Sequence, residues 1–293
     1  MEVIKFMQKL SNPFFDFIFN FVSFLGEPIV IIGVLCTLYW CVNKKKSEKL
    51  IFIIISSMAF NDCVKNMVRK ERPWILDESI SSLRPDTATG YSFPSGHTQF
   101  TATLWPSLML IFRKKWLYPL GISLMVLMPL SRIYLGAHTF LDVFVGLVMG
   151  IVLSFFFYFI YGKIEGKSPF IYLIFLIPAL FSVLALLPFW NERPAMTEDT
   201  FKIIGLSIGA VFGIIFENKK INFSEKGDLK TNILKSLIGF LGIIIIYGGL
   251  KVLFSLPFIP ENISEYLGLL RYMAIALFAT IGMGTIIKKF FNK

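Results

Sequence analysis

Long apolar stretches recur along almost the whole chain, each closed by a short polar or charged break. Their lengths approach the roughly 20 helical residues that cross a hydrocarbon core. The pattern predicts membrane-spanning helices near 24–42, 48–66, 98–112, 116–133, 139–162, 169–190, 201–217, 231–251 and 266–287. The first apolar piece, Pro13 to Leu25, is short, aromatic and broken by Asp16 and Asn20. It predicts a helix lying in the interface rather than a tenth span. It also lacks the basic lead-in and small-residue cleavage site of a removed signal peptide. The expected fold is all-α: a polytopic integral membrane helical bundle of about nine transmembrane helices plus an N-terminal interfacial helix. Three regions follow: an interfacial segment over 1–25, a helical core over 26–162 and a C-terminal transmembrane extension over 163–293.

Composition agrees with a lipid solvent. The 293 residues are 55% hydrophobic and 16% charged, with 32 Phe, too apolar for a soluble domain. A net charge of +10 would raise the question of nucleic acid in a soluble chain. Here the positives are sorted by side. Lys44, Lys45, Lys46 and Lys49 follow the first span, and Arg113, Lys114 and Lys115 the third. Lys163 and Lys167 follow the fifth, Lys219, Lys220, Lys226 and Lys230 the seventh, and Lys288, Lys289 and Lys293 the last. The alternate loops 191–199 and 255–265 are acidic apart from Arg193. The positive-inside rule makes the basic set cytoplasmic, with the N-terminus outside and the C-terminus inside. The loop 65–97 breaks the rule: it falls outside yet holds Lys65, Arg69, Lys70, Arg72 and Arg84. Phosphate binding would explain that exception. Cys36, Cys41 and Cys63 lie in or near apolar helices and read as packing residues.

Three short clusters carry the candidate chemistry. Lys65 and Arg72 are seven residues apart, which on a continuous helix places them on one face, before Pro73 stops it. An ammonium and a forked guanidinium on one face would clamp a phosphate. Pro94-Ser95-Gly96-His97 opens an apolar run, and such a turn at a helix start presents free backbone N–H groups to an anion. Ser95 reads equally as a plain N-cap. His138 and Asp142 are spaced i, i+4, so a carboxylate can hold one ring nitrogen and leave the other free to attack. The chain has only two histidines, and both sit in these clusters. All three clusters fall on the outer side of the expected topology.

Together Lys65…Arg72-Pro73, Pro94-Ser95-Gly96-His97 and Ser131-Arg132…His138…Asp142 resemble the signature of the type-2 phosphatidic acid phosphatase family, complete and in order. The resemblance covers roughly residues 48–160. It implies a metal-independent phosphomonoesterase or diphosphatase with a phosphohistidine intermediate and no cofactor. By this resemblance His138 would be the nucleophile, Asp142 would orient it and His97 would be the general acid. Lys65, Arg72 and Arg132 would bind phosphoryl oxygens, with Ser95 and the Gly96 N–H completing the cradle and Ser131 supporting it. Nine spans with an external N-terminus look more like the sphingosine-phosphate phosphatase and glucose-6-phosphatase branches than six-span bacterial lipid phosphatases.

The leading expectation is a phosphatase of a lipid monoester or diphosphate at the extracytoplasmic face of a bacterial-type plasma membrane. Polyprenyl (undecaprenyl) diphosphate, phosphatidic acid, phosphatidylglycerol phosphate and a sphingoid phosphate are all candidate substrates. Alternatives are a phosphatase of a soluble ester such as a sugar phosphate, and a lipid-phosphate transporter or binding protein. Gly205, Gly209 and Gly213, like Gly146 and Gly150, repeat every four residues and predict close helix packing, within the chain or across a homodimer face.

Overall fold

The computed structural model describes residues 1–292 except 86–87, 89, 166–172, 187–196 and 257–260. Of the acidic loops that bear on sidedness, residues 191–196 and 257–260 lie outside these described residues, while Glu198, Asp199, Glu261 and Glu265 fall in described helices. Within them the chain is helical: α1 (Glu2–Gln8), α2 (Pro13–Leu25), α3 (Pro28–Cys41), α4 (Lys44–Val68), α5 (Pro73–Leu76), α6 (Gly96–Phe112) and α7 (Leu117–Tyr134). Then follow α8 (Phe140–Ile164), α9 (Leu176–Leu186), α10 (Thr197–Phe216), α11 (Leu229–Phe254), α12 (Glu261–Leu277) and α13 (Met283–Phe290). Two π-helical turns, Glu217–Ile221 and Phe278–Gly282, interrupt this series.

Six helices among the described residues are long and apolar enough to cross a membrane, or seven if α2 and α3 form one broken span. The count of nine is therefore not reproduced, for identifiable reasons. The 24–42 stretch is broken at Gly26–Glu27, and the 98–112 stretch is the 17-residue α6, largely buried rather than facing lipid. In the 169–190 stretch the described helix is the 11-residue α9.

The chain divides into two compact units, one of Met1–Ile32 with Phe60–Ile160 and one of Gly33–Ala59 with Tyr161–Lys293. In the first, α2 and α6 pack on α7, and α8 packs against α6. The helix α8 shows why its sequence reads as it does. Phe144, Val148, Val152 and Phe155 make an exposed apolar row suited to lipid. On the opposite face, Gly146 and Gly150 meet α6. A Cβ at Gly146 would stand 2.8 Å from the Ser95 carbonyl oxygen, and one at Gly150 would strike the Gln99 carbonyl. Only glycine lets the start of α6 approach α8 this closely.

The N-terminal helix departs from the interfacial expectation in one respect. Asp16, Asn20 and Ser23 recur at i, i+4 and i+7, one helical face. That face packs on α7: the Tyr134 hydroxyl donates to Asp16 and Ser131 Oγ donates to the Phe19 carbonyl at 2.7 Å. The polar interruptions of this apolar stretch are thus packing contacts.

In the second unit, Lys44 and Glu217 form a buried ion pair at 2.9 Å, and the Tyr39 hydroxyl and Phe223 N–H also donate to that carboxylate. Trp40 Nε1 donates at 2.7 Å to the Ala279 carbonyl inside the second π-helical turn. Gly205, Gly209 and Gly213 abut Leu269, Met273 and Thr280 of the same chain. That stripe is occupied internally, so it is not an open homodimer face.

Candidate active site

The first surprise concerns the clamp. Helix α4 ends at Val68, because Arg69 adopts a left-handed conformation (φ 53°) and its N–H closes onto the Lys65 carbonyl. Arg72 is extended (φ −74°, ψ 150°), as a residue before proline prefers, and Pro73 begins α5 rather than ending α4. Lys65 and Arg72 are therefore not two turns apart on one helix. They converge because both reach one loop: Lys65 Nζ donates to the Tyr91 carbonyl at 2.9 Å, and Arg72 Nε to the Gly90 carbonyl at 2.9 Å.

Arg72 Nη1 donates to the Ala137 carbonyl at 3.1 Å and lies 3.0 Å from His138 Nε2. A guanidinium nitrogen can only donate, so Nε2 must offer its lone pair. The other ring nitrogen, Nδ1, is 2.8 Å from the Ser92 carbonyl oxygen, which can only accept, so Nδ1 carries the proton. Two backbone-anchored partners thus fix the tautomer and aim a basic nitrogen at Arg72.

Asp142 does not hold the ring directly. His138 precedes α8, and its Nδ1 stands 4.0 Å from Asp142 Oδ2. The carboxylate accepts instead from Ser92 Oγ (2.7 Å), from the Thr139 N–H (2.7 Å) and from Lys70 Nζ (2.6 Å). Thr139 and Asp142 form a capping box at the start of α8. The influence of Asp142 on His138 therefore passes through Ser92. Replacing Asp142 with Asn should lower kcat about 10- to 100-fold, less than the roughly 10⁴-fold seen where a carboxylate alone orients the ring. A steady-state comparison of the variant with the parent protein checks this.

Ser95 precedes α6 but caps nothing. Its hydroxyl makes no side-chain cap bond and is buried without a protein partner, while its N–H donates to the Asp142 carbonyl at 3.0 Å. His97, in the first turn of α6, likewise presents a buried Nε2 without a partner. Arg132 is fully buried, donates from Nη1 to Ser23 Oγ at 2.6 Å, and leaves Nε and Nη2 without a protein partner. Such atoms are rare and costly, and a cluster of them calls for an anion that accepts from several donors. The first-turn N–H groups at Gly96 and His97 have no intrahelical acceptor and add to that capacity.

Ser131, beside Arg132, donates its hydroxyl to the Phe19 carbonyl of α2 at 2.7 Å. Of the cations in loop 65–97, Lys70 pairs with Asp142, Arg84 with Glu27, and Arg69 Nε donates to the Asn66 carbonyl. Part of the positive charge of that loop is thus paired with carboxylates and a carbonyl of the protein. Ser92 and Lys70 lie outside the motif positions, Ser92 two residues before Pro94 and Lys70 among the cations of loop 65–97. Burial, together with the charges of Arg72, Arg132 and Lys65, holds the His138 imidazole well below its ordinary pKa near 6.5.

Comparison with known proteins gives two matched regions. A model described as the PAP2 superfamily covers residues 48–165, and one described as the PAP2 superfamily phosphatase transmembrane extension covers residues 201–291. Sphingosine-1-phosphate phosphatase 1 of Rattus norvegicus is 26% identical over 215 residues, 71% of this chain and 50% of that protein. Phosphatidylglycerophosphatase B of Bacillus subtilis (strain 168) is 33% identical over 147 residues, 45% of this chain and 66% of that protein. The crystal structure of Aquifex aeolicus LpxE is similar at a TM-score of 0.49 and 29% identity, over 53% of this chain and 92% of that one. This chain spans about half the length of the rat relative.

Proposed function

This chain belongs to the PAP2 superfamily, carrying both its domain and its transmembrane extension, and from that footing we propose that it hydrolyses a lipid phosphate through a phosphohistidine at His138. The observation that carries the reading is the fixed tautomer of His138. Its basic Nε2 sits beside Arg72, in the same motif set as the partnerless donors of Ser95, His97 and Arg132.

In the first step Arg72 Nη1 shifts its hydrogen bond from His138 Nε2 to a phosphoryl oxygen, and the freed Nε2 lone pair attacks phosphorus as the bond from phosphorus to the leaving oxygen breaks. Lys65, Arg72 and Arg132, with Ser95 Oγ and the Gly96 N–H, bind the phosphoryl oxygens whose charge shifts during transfer. His97 gives its Nε2 proton to the leaving oxygen. A bound phosphate offsets the surrounding cations and so favours the protonated form of His97 that this step requires. In the second step water attacks phosphorus, His97 takes a proton from it, and the N–P bond breaks to release inorganic phosphate and free His138. The cations supply charge stabilisation that other phosphatases take from metal ions, so turnover is expected to resist chelators.

A lipid fits because the cluster sits at the ends of apolar helices, where a phosphate headgroup can enter while its tail stays in the bilayer. The arrangement of basic loops favours a site on the extracytoplasmic side. Phosphate release by the purified, lipid-reconstituted protein in excess chelator, against undecaprenyl diphosphate, phosphatidic acid, phosphatidylglycerol phosphate, sphingosine phosphate and glucose 6-phosphate, tests the reading. Preference for a lipid supports it; preference for glucose 6-phosphate, or turnover only with added metal, overturns it.

The depressed pKa of His138 gives a pH expectation with a definite sign. In the folded protein the ring accepts a proton only well below pH 6.5, so the nucleophile stays competent there and its acidic limb in kcat/KM falls below 6.5. The unfolded chain takes up that proton first as pH drops through about 6.5, so folding stability also declines below that point. A pH–rate profile of kcat/KM with an acidic midpoint at or above 6.5 would contradict this.

A further inference from the structure

Arg132 is held in place from outside the matched PAP2 domain. Its Nη1 donates to Ser23 Oγ at 2.6 Å, and both residues are fully buried. Ser23 lies on α2, and the matched domain begins only at residue 48. The two nitrogens left without protein partners, Nε and Nη2, form one edge of the guanidinium fork. That edge is the one that binds two oxygens of a phosphate side by side.

We propose that Ser23 is a positioning residue for phosphate binding: it anchors the far corner of the Arg132 guanidinium so that the Nε–Nη2 edge faces the substrate. The proposal rests on the reading of Arg132 as a phosphate ligand. Its physical basis is the flexibility of arginine. A guanidinium at the end of a four-bond stem loses affinity when it must be ordered by the ligand itself. One fixed hydrogen bond removes that freedom before the anion arrives.

The setting of Ser23 supports a tailored contact. Around it, α2 is tied to α7 by Tyr134 to Asp16 and Ser131 to Phe19, and to the segment between α5 and α6 by Arg84, which donates to the Asn20 carbonyl at 3.0 Å and pairs with Glu27. Each of those ties could dock α2. Ser23 is the contact on this face that reaches a side chain whose remaining donors are unspent.

Orthovanadate, a phosphate mimic, provides a probe independent of turnover. Its affinity for the reconstituted full-length protein would be read by thermal shift, beside kcat and KM for phosphate release. Ser23→Ala and the near-isosteric Ser23→Cys, a poor acceptor, should each weaken vanadate binding about tenfold, the scale of one hydrogen bond to a charged group. Ser23→Thr keeps the oxygen and should restore affinity. Tyr134→Phe loosens the docking of α2 without touching Arg132, so it should lower Tm and leave vanadate affinity unchanged.

Parental affinity in both Ser23→Ala and Ser23→Cys would overturn the proposal. So would an equal loss in Tyr134→Phe, which would trace the effect to docking alone. If the parent binds vanadate in a Ser23-dependent way but hydrolyses no lipid phosphate, the phosphatase reading falls and the positioning role stands. If the parent binds no vanadate, Arg132 is not an anion ligand and the proposal fails with it.

Discussion

Replacing His138 with Ala should lower phosphate release by about 10⁴-fold or more, the scale on which removal of a covalent nucleophile acts. The loss follows from geometry rather than from the motif alone. His138 Nδ1 is protonated toward the Ser92 carbonyl, while the Nε2 lone pair faces Arg72. Water attacking directly would meet the same cations but lack the in-line nucleophile, so residual activity from binding and charge stabilisation should persist at a low level. The variant should also remain folded. Arg72 Nη1 keeps its bond to the Ala137 carbonyl, so the loss is confined to the ring donor at the Ser92 carbonyl. Activity comparable to the parent, measured with protein of unchanged Tm, would remove His138 from the mechanism.

The second large effect is expected at Arg132, with opposite signs for stability and activity. A fully buried guanidinium with two nitrogens lacking protein partners carries a desolvation cost that protein contacts do not offset. Arg132→Met keeps much of the volume and removes that charge. It should leave folding stability unchanged or raise it by about 1 kcal/mol, while cutting kcat about 10²- to 10³-fold, the cost of losing one preorganised donor to the transition state. Parallel measurement of Tm and phosphate release checks both halves. A variant that is strongly destabilised would show Arg132 to be a structural residue, and one with normal kcat would show that it does not touch the phosphoryl group.

Several elements were readable from the residues, and the misses have physical causes. The apolar stretches announced membrane helices because lipid forces every backbone polar group into intrahelical bonding, which demands long uniform segments. The count is not reproduced where a stretch is short or buried in protein, as with α6, since apolar residues look alike whether they face lipid or a neighbour. The residues of the three motifs were legible by type. Their contacts were not. Helix periodicity was carried across Arg69 because a non-glycine residue at positive φ leaves little trace in sequence. The partner that holds His138 is a carbonyl, and a backbone oxygen has no letter of its own. The Ser92 carbonyl consequently holds the ring that spacing assigns to Asp142, while Lys70 pairs with the Asp142 carboxylate. On α2 the signal was present. Polar residues at positions 16, 20 and 23 of an apolar helix form one stripe, and such a stripe in lipid faces protein.

The most direct test of the account is to quench the reconstituted protein during turnover of a lipid carrying radioactive phosphate and to map the label. The account predicts an acid-labile, alkali-stable phosphoramidate on the peptide containing His138, absent from His138→Ala. Turnover of that lipid with label on another residue, or with no protein-bound label under conditions that stop the second step, would contradict it.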